Sequence, residues 1–363
     1  MIKWISPIFD HSGYAQANRD YIYALHKQTK DIFISPLNYL TKVVDGLDLE
    51  FFYELTNKQI PYKYVIHHYP PEQIDLNVQK NKINIGCNTW ETTKLPDHWV
   101  ENMNKYLTAV FVPSSFNKKY YEENGVKIPI EIIPYCFNIH EQCANSILPK
   151  ELDQYFKFIS VFQWTERKNP IGLLKAYFST FTEDDKVILI LKTYASDDSL
   201  IEQTKICSQI NQLKVDMNLN YYPPIYFIGN LLERKQVFAL YSHSDCFVLP
   251  SRGEGFGMPY AEAALFGNQI IATAFGGQTD FLDCSFTQFI DYQLAPVSGM
   301  AWIPNYNAHM YWAEPNIETL QKQMRYAYNQ RFDKQIASNH IQSTLNYDKI
   351  GNLLLNTILK YGD

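Results

Sequence analysis

Short apolar runs alternate with longer amphipathic stretches along most of this chain. Ile2 to Ile5 predicts a strand, and a helix follows from about Ala15 to Lys27, with Tyr21, Ala24 and Leu25 on one face. Ile32 to Ser35 predicts a second strand. Leu37 to Pro61 shows no clear pattern, apart from Phe51, Phe52 and Leu55, which hint at a short helix. Tyr64 to His67, Lys82 to Cys87, Ala109 to Val112 and Ile130 to Tyr135 predict further strands, with a capped helix from Asp97 to Met103 among them. Polar residues and Pro149 between Asn138 and Asp153 mark a linker. A second series then begins. Phe156 to Phe162, Lys186 to Lys192, Ile225 to Ile228, Cys246 to Leu249 and Gln269 to Thr273 predict strands. Ile171 to Phe178, Ser199 to Gln212, Gln236 to Tyr241 and Tyr260 to Phe266 predict helices. Trp302 to Ala313 is aromatic and loop-like, and Glu318 to Asn329 and Ile350 to Tyr361 predict closing helices. Strand alternating with helix implies parallel α/β sheets. There is no internal repeat.

The densest chemistry lies between Cys246 and Gly277. Gly253, Gly255 and Gly257 make a loop whose backbone can approach a ligand closely. Pro259 suits the first turn of a helix, and Gly267 fits just past its end. A strand–loop–helix–strand unit presents free N–H groups and a positive dipole end at the loop, which suits an anion. Glu254 sits in the loop and Glu262 about one turn into the helix. Carboxylates accept hydrogen bonds from hydroxyls in pairs, as sugars offer them. On spacing alone, a solvated Glu254 and a surface Glu262 explain the pattern equally well. Elsewhere, Arg167 and Lys168 open a loop after the strand that ends at Phe162. They are either cations that neutralise a diphosphate or a solvated helix start. His67 and His68 are adjacent on a predicted strand, so they point oppositely and do not share a metal ion. One of them faces a cleft, or both are structural.

Glu254-Gly-Phe-Gly-Met-Pro-Tyr-Ala-Glu262 resembles the E-x7-E motif of family-4 retaining glycosyltransferases, and Leu249-Pro-Ser-Arg252 and Gly276-Gly-Gln-Thr-Asp-Phe-Leu282 match its flanks. That resemblance implies the GT-B fold, α/β with two Rossmann-like domains whose parallel sheets face across a cleft. It implies an acceptor-side domain over residues 1–145, a nucleotide-sugar-binding domain over 153–340, and a C-terminal helix in 341–363 packing back on the first domain. Glu254 would lie beside the transferred sugar, and Lys168 would bind phosphate. Arg167 would share the charge, because Phe162 stands where the family has an arginine. Glu91 occupies the place of a cleft acid. The donor side would comprise Gly13, Gly229, Asn230, Leu231, Gly255, Phe256, Gly257, Met258 and Glu262, the last bonding the ribose. His11 and His67 fall on the acceptor side, with Asp10 beside them, although His11 and Ser12 are equally suited to capping the helix. The implied reaction moves a sugar from a nucleotide diphosphate sugar, a co-substrate, to a glycan or other hydroxyl acceptor, with no cofactor and no metal. Another GT-B enzyme, a phosphorylase or nucleotide-sugar epimerase, keeps the cleft with different chemistry. A glycan-binding protein with a decayed site is the third possibility.

Composition narrows this further. A length of 363 residues suggests two domains. A net charge of −6 and the lack of a dense Lys/Arg run argue against a nucleic-acid partner. The 27 Tyr and 22 Phe suit sugar rings, although core packing accounts for most of them. Six cysteines without metal spacing read as buried free thiols in a reducing cytoplasm. No signal peptide or membrane span is apparent, which leaves only peripheral membrane contact open.

Overall fold

The computed structural model describes residues 1–37, 47–58, 60–138, 145–330 and 332–362. The chain forms two compact units, Met1–His140 with Ser343–Asp363, and Glu141–Gln342. The predicted linker lies partly outside the described residues, at 139–144; of its remainder, Lys150–Gln154 forms a 3-10 turn.

The first unit holds a six-stranded parallel sheet of β1 (Ile2–Pro7), β2 (Ile32–Leu37), β3 (Tyr64–His67), β4 (Ile83–Cys87), β5 (Ala109–Val112) and β6 (Ile130–Ile132). Their spatial order is β2-β1-β3-β4-β5-β6. Every residue of β3 and β5 is buried, as in a sheet covered on both faces. Helix Gly13–Gln28 starts where the Ser12 hydroxyl accepts the Ala15 N–H at 3.1 Å. Asp97–Tyr106 begins without the side-chain cap that the sequence suggests; Asp97 lies inside the first turn, where its charge faces the positive dipole end. The C-terminal helix Tyr347–Lys360 packs along Gly13–Gln28, and Gly351 leaves no room for a Cβ against the Ala24 carbonyl. Tyr347 donates to Asp20 at 2.5 Å, and Lys360 pairs with Glu131 of β6 at 2.6 Å, so both ends of this helix are tied down.

The second unit holds β7 (Phe156–Gln163), β8 (Val187–Tyr194), β9 (Ile225–Ile228), β10 (Cys246–Leu249), β11 (Gln269–Thr273) and β12 (Thr287–Ile290), in the order β12-β11-β10-β7-β8-β9. All pairs are parallel. The chain progresses one way from β7 to β9 and the other way from β10 to β12. The order therefore reverses between β7 and β10, and loops leaving the carboxyl ends of those two strands emerge side by side. Such reversal points are where open parallel sheets bind ligands. An antiparallel hairpin, β13 (Tyr292–Pro296) and β14 (Tyr311–Pro315), replaces part of the stretch read as loop. Helix Lys334–Thr344 occupies a stretch for which the sequence pattern predicts no element. Among the described cysteines, Cys87, Cys136 and Cys246 are buried as expected, whereas Cys207 and Cys284 are exposed; all five are free thiols. No helix among the described residues is long and apolar enough to cross a membrane.

Candidate active site

The loop after β7 ends in a 3-10 turn, Glu166–Lys168, and Asn169 then adopts the left-handed region and caps helix Pro170–Thr180 through Gly172. The turn aims both cations at the neighbouring loop. Lys168 Nζ lies 2.5 Å from Glu254 Oε1, and an Arg167 guanidinium nitrogen lies 3.3 Å from Oε2 and 2.7 Å from the Gly253 carbonyl. Glu254 is 5% exposed, so it is not the solvated loop residue that spacing alone allowed. Burial pushes its carboxyl up, but the charges of Lys168 and Arg167 outweigh this, and the net direction is down. Glu254 is therefore a carboxylate at neutral pH.

The glycines around Glu254 are required by geometry. Gly257 has φ 90°, and a Cβ there would come within 2.8 Å of the Tyr260 ring. Gly276 has φ 117°, and a Cβ would sit 2.8 Å from the Glu254 carbonyl oxygen. Gly277 N–H donates to that carbonyl at 2.8 Å, and Gln278 ties the same turn to the Thr273 and Phe275 carbonyls. The Gly-Gly-Gln segment is thus a brace for the backbone of Glu254. Phe256 is buried on Phe281, with ring centroids 4.8 Å apart. Helix Met258–Leu265 starts at Gly257 with no side-chain cap. Pro259 has no N–H and the Gly257 carbonyl accepts the Tyr260 N–H at 3.1 Å, so the first turn offers the Met258 N–H to other acceptors. Glu262 lies on this helix with its side chain 12% exposed and Arg234 3.7 Å away.

Phe162, at the position where an arginine was expected, is a buried ring stacked on Trp164. The guanidinium near Glu254 is instead that of Arg167. Gly229, Asn230 and Leu231 follow β9 and are braced from helix Leu200–Met217 and from the turn before it. Gln203 packs on Gly229 and donates to Asn230, and Asp198 accepts the Leu231 N–H at 3.1 Å.

The first unit gathers a second group of the predicted residues. Its strand order reverses between β1 and β3; Asp10 and His11 lie in the loop after β1, and Gly13 is the first residue of the helix that follows. Ser12, not His11, provides the helix cap, and Asp10 accepts the Ser12 N–H at 2.8 Å. Arg19 donates to the Ile8 and Asp10 carbonyls and fixes the loop from beneath. Glu91 is half-buried; after burial, its charge is the next cause pushing the Tyr14 phenol far up. His67 corrects the acceptor-side expectation. It is fully buried, with ring nitrogens on Tyr69 at 2.9 Å and Asn84 at 3.0 Å, and burial lowers its pKa to about 4. It is a neutral core histidine with no edge left for a substrate. His68 is also buried, among the rings of Trp4, Tyr14, Tyr21 and Tyr135.

Arg234, Lys192 and Arg252 contribute near the site without a local sequence signal. Arg234 precedes Glu262 by most of a helix and a strand, so no local spacing links them. Lys192, at the carboxyl-terminal part of β8, is 5% exposed; burial lowers its pKa to about 8, with Asp198 opposing. Arg252 bonds both oxygens of Glu314 in β14 and also reaches Glu166, fastening the hairpin to the loops of the site.

Residues 158–289, which span Lys168, Glu254 and Glu262, match the family model described as Glycosyl transferases group 1. That match lies within the second unit and covers about a third of the chain. Over 182 residues the chain is 26% identical to an uncharacterized glycosyltransferase of Sulfolobus islandicus rod-shaped virus 1, spanning about half the length of that relative and 47% of its own. Sucrose-phosphate synthase from Thermosynechococcus elongatus superposes with a TM-score of 0.67 at 15% identity, over 100% of this chain and 99% of that one. HepE of Anabaena, solved with UDP and glucose, gives 0.66 at 12% identity over 99% of both chains. The trehalose-6-phosphate synthase OtsA gives 0.66 at 11% identity over 98% of both. The fold is GT-B.

Proposed function

We propose that this chain transfers a sugar from a nucleoside diphosphate sugar to a hydroxyl acceptor, retaining the anomeric configuration and needing no metal ion. The observation that carries this reading is the Glu254 carboxylate, buried between Lys168 and Arg167 at the β7–β10 reversal beside an uncapped helix start. In this reading Lys168 and Arg167, with the amides from Gly255 to Met258, stabilise the negative charge that grows on the departing diphosphate. The acceptor oxygen bonds to the anomeric carbon as the bond to phosphate breaks, and the hydroxyl proton passes to the leaving phosphate oxygen. Glu254 positions the donor sugar, Glu262 holds the ribose, and Gly229 to Leu231 meet the base. Gly13, His11 and Glu91 serve the substrates from the first unit. HepE has been solved with UDP-glucose, and an E. coli trehalose-6-phosphate protein with UDP-2-fluoro glucose, which makes UDP-sugars the first donors to test.

The buried Phe162 favours one other reading, a glycan-binding protein whose transferase site has decayed. Release of nucleoside diphosphate decides between them. A transferase releases it with acceptor present, in the presence of chelator, and Glu254→Gln stops the release. An epimerase turns over its donor without releasing nucleotide, and a binding protein does not turn over at all. Strict metal dependence would contradict the mechanism.

A further inference from the structure

We infer that a cavity between Trp164 and Trp302 is a subsite for one pyranose ring of the acceptor. It lies within the second unit, has a volume of about 210 Å³, and is lined by Gln163, Trp164, Thr165, Ala195, Ser196 and Trp302. Clefts for drug-sized ligands run to ~300–1,000 Å³, so this one suits a single ring rather than a whole nucleotide sugar. Two indoles give it apolar, electron-rich faces, which match the C–H face of a pyranose. The Thr165 hydroxyl and the amide oxygen of Gln163 supply partners for the sugar's hydroxyls; the Ser196 hydroxyl already donates to Glu202 and keeps its acceptor side, and the Gln163 amide nitrogen is taken by the Ala195 carbonyl at 2.9 Å.

The Trp164 indole is held in place, and the loop that carries Trp302 is fixed through its backbone. Trp164 donates to Gln209 at 2.8 Å and stacks on Phe162. Trp302 is 62% exposed, a costly position for an indole with no ligand. Its loop is nonetheless built: Val297 bonds Met310 at 2.9 Å, Ile303 bonds Met300 at 3.0 Å, and Gly299 packs on the Glu166 side chain. Glu166 is in the same turn as Lys168, which places the cavity next to the proposed donor site. Assigning the ring to the acceptor rests on the transferase reading; the binding itself does not.

The test is saturation-transfer NMR with methyl α-glucopyranoside, methyl α-mannopyranoside and methyl β-galactopyranoside, alongside separate titration with UDP. At least one pyranoside should bind, about tenfold more weakly to Trp302→Ala and within about threefold of wild type to Trp302→Tyr, with UDP affinity unchanged in both variants. Pyranoside binding that ignores Trp302→Ala, or no binding to wild type, overturns the subsite. A tenfold loss of UDP affinity in Trp302→Ala also overturns it, because the stacked ring would then be the base. If UDP fails to bind wild type, the donor reading falls, while the pyranoside comparison still reports on the subsite.

Discussion

Glu254 and Lys168 are charges that folding would not bury singly. Removing one partner of a buried pair leaves the other without compensation, which typically costs about 3–5 kcal/mol. Glu254→Ala should therefore destabilise the chain by about 3 kcal/mol in urea unfolding, and Lys168→Met combined with Glu254→Gln should recover most of that loss. The pH dependence has a definite sign. The folded carboxyl of Glu254 lies below its unfolded value, so its contribution is fully present above the ordinary carboxylate range and is lost as pH falls through the folded pKa. Lys192 acts in the opposite sense. Its folded pKa is about 8 against an ordinary 10.5, so between these values the unfolded chain binds more protons and stability rises with pH. Lys192→Met should remove that slope and stabilise the chain by about 3 kcal/mol at pH 7, measured by urea unfolding at pH 7 and 10. Glu254 and Lys168 were legible because each sits in a motif. Lys192 and Arg234 were not, because a cation on a strand end or a helix start reads as surface until its partners are brought in from distant segments.

At the scale of elements, the glycine loop is a folded scaffold rather than a flexible lid. Gly257→Ala would place a Cβ against Tyr260 in a left-handed backbone, a strain of about 1–3 kcal/mol. The expected outcome is loss of nucleotide binding with an unchanged far-UV circular dichroism spectrum; retained binding would show that the loop does not carry the ligand. The unit around this loop was legible almost to the residue. Cys246–Leu249 and Gln269–Thr273 are the strands predicted, because buried parallel strands read as short continuous apolar runs. The β13–β14 hairpin was not legible. Tyr292, Leu294 and Tyr311 are exposed, so no alternation marks them, and the connection between the strands is too long to carry a turn signal. Helix Lys334–Thr344 was missed because only Ala337 and Ile341 are buried, too few for a visible apolar stripe.

At the scale of the molecule, the chain closes the first unit with its last helix, so residues more than three hundred positions apart share one core. Gly351→Val should force Tyr347–Lys360 off Gly13–Gln28 and destabilise the first unit selectively, seen as an earlier separate transition on thermal unfolding with nucleotide binding by the second unit retained. Strand–helix alternation made both sheets legible, whereas strand order was not, since pairing is decided by packing across the whole sheet. That order sets Lys168 beside Glu254. Calorimetric titration with UDP, GDP and ADP tests the resulting site most directly. One of the three should bind wild type, and Lys168→Ala should weaken it at least about tenfold through loss of a charge-assisted contact. Equal affinity in wild type and variant, or no binding by any of the three, would contradict a diphosphate site at the β7–β10 reversal.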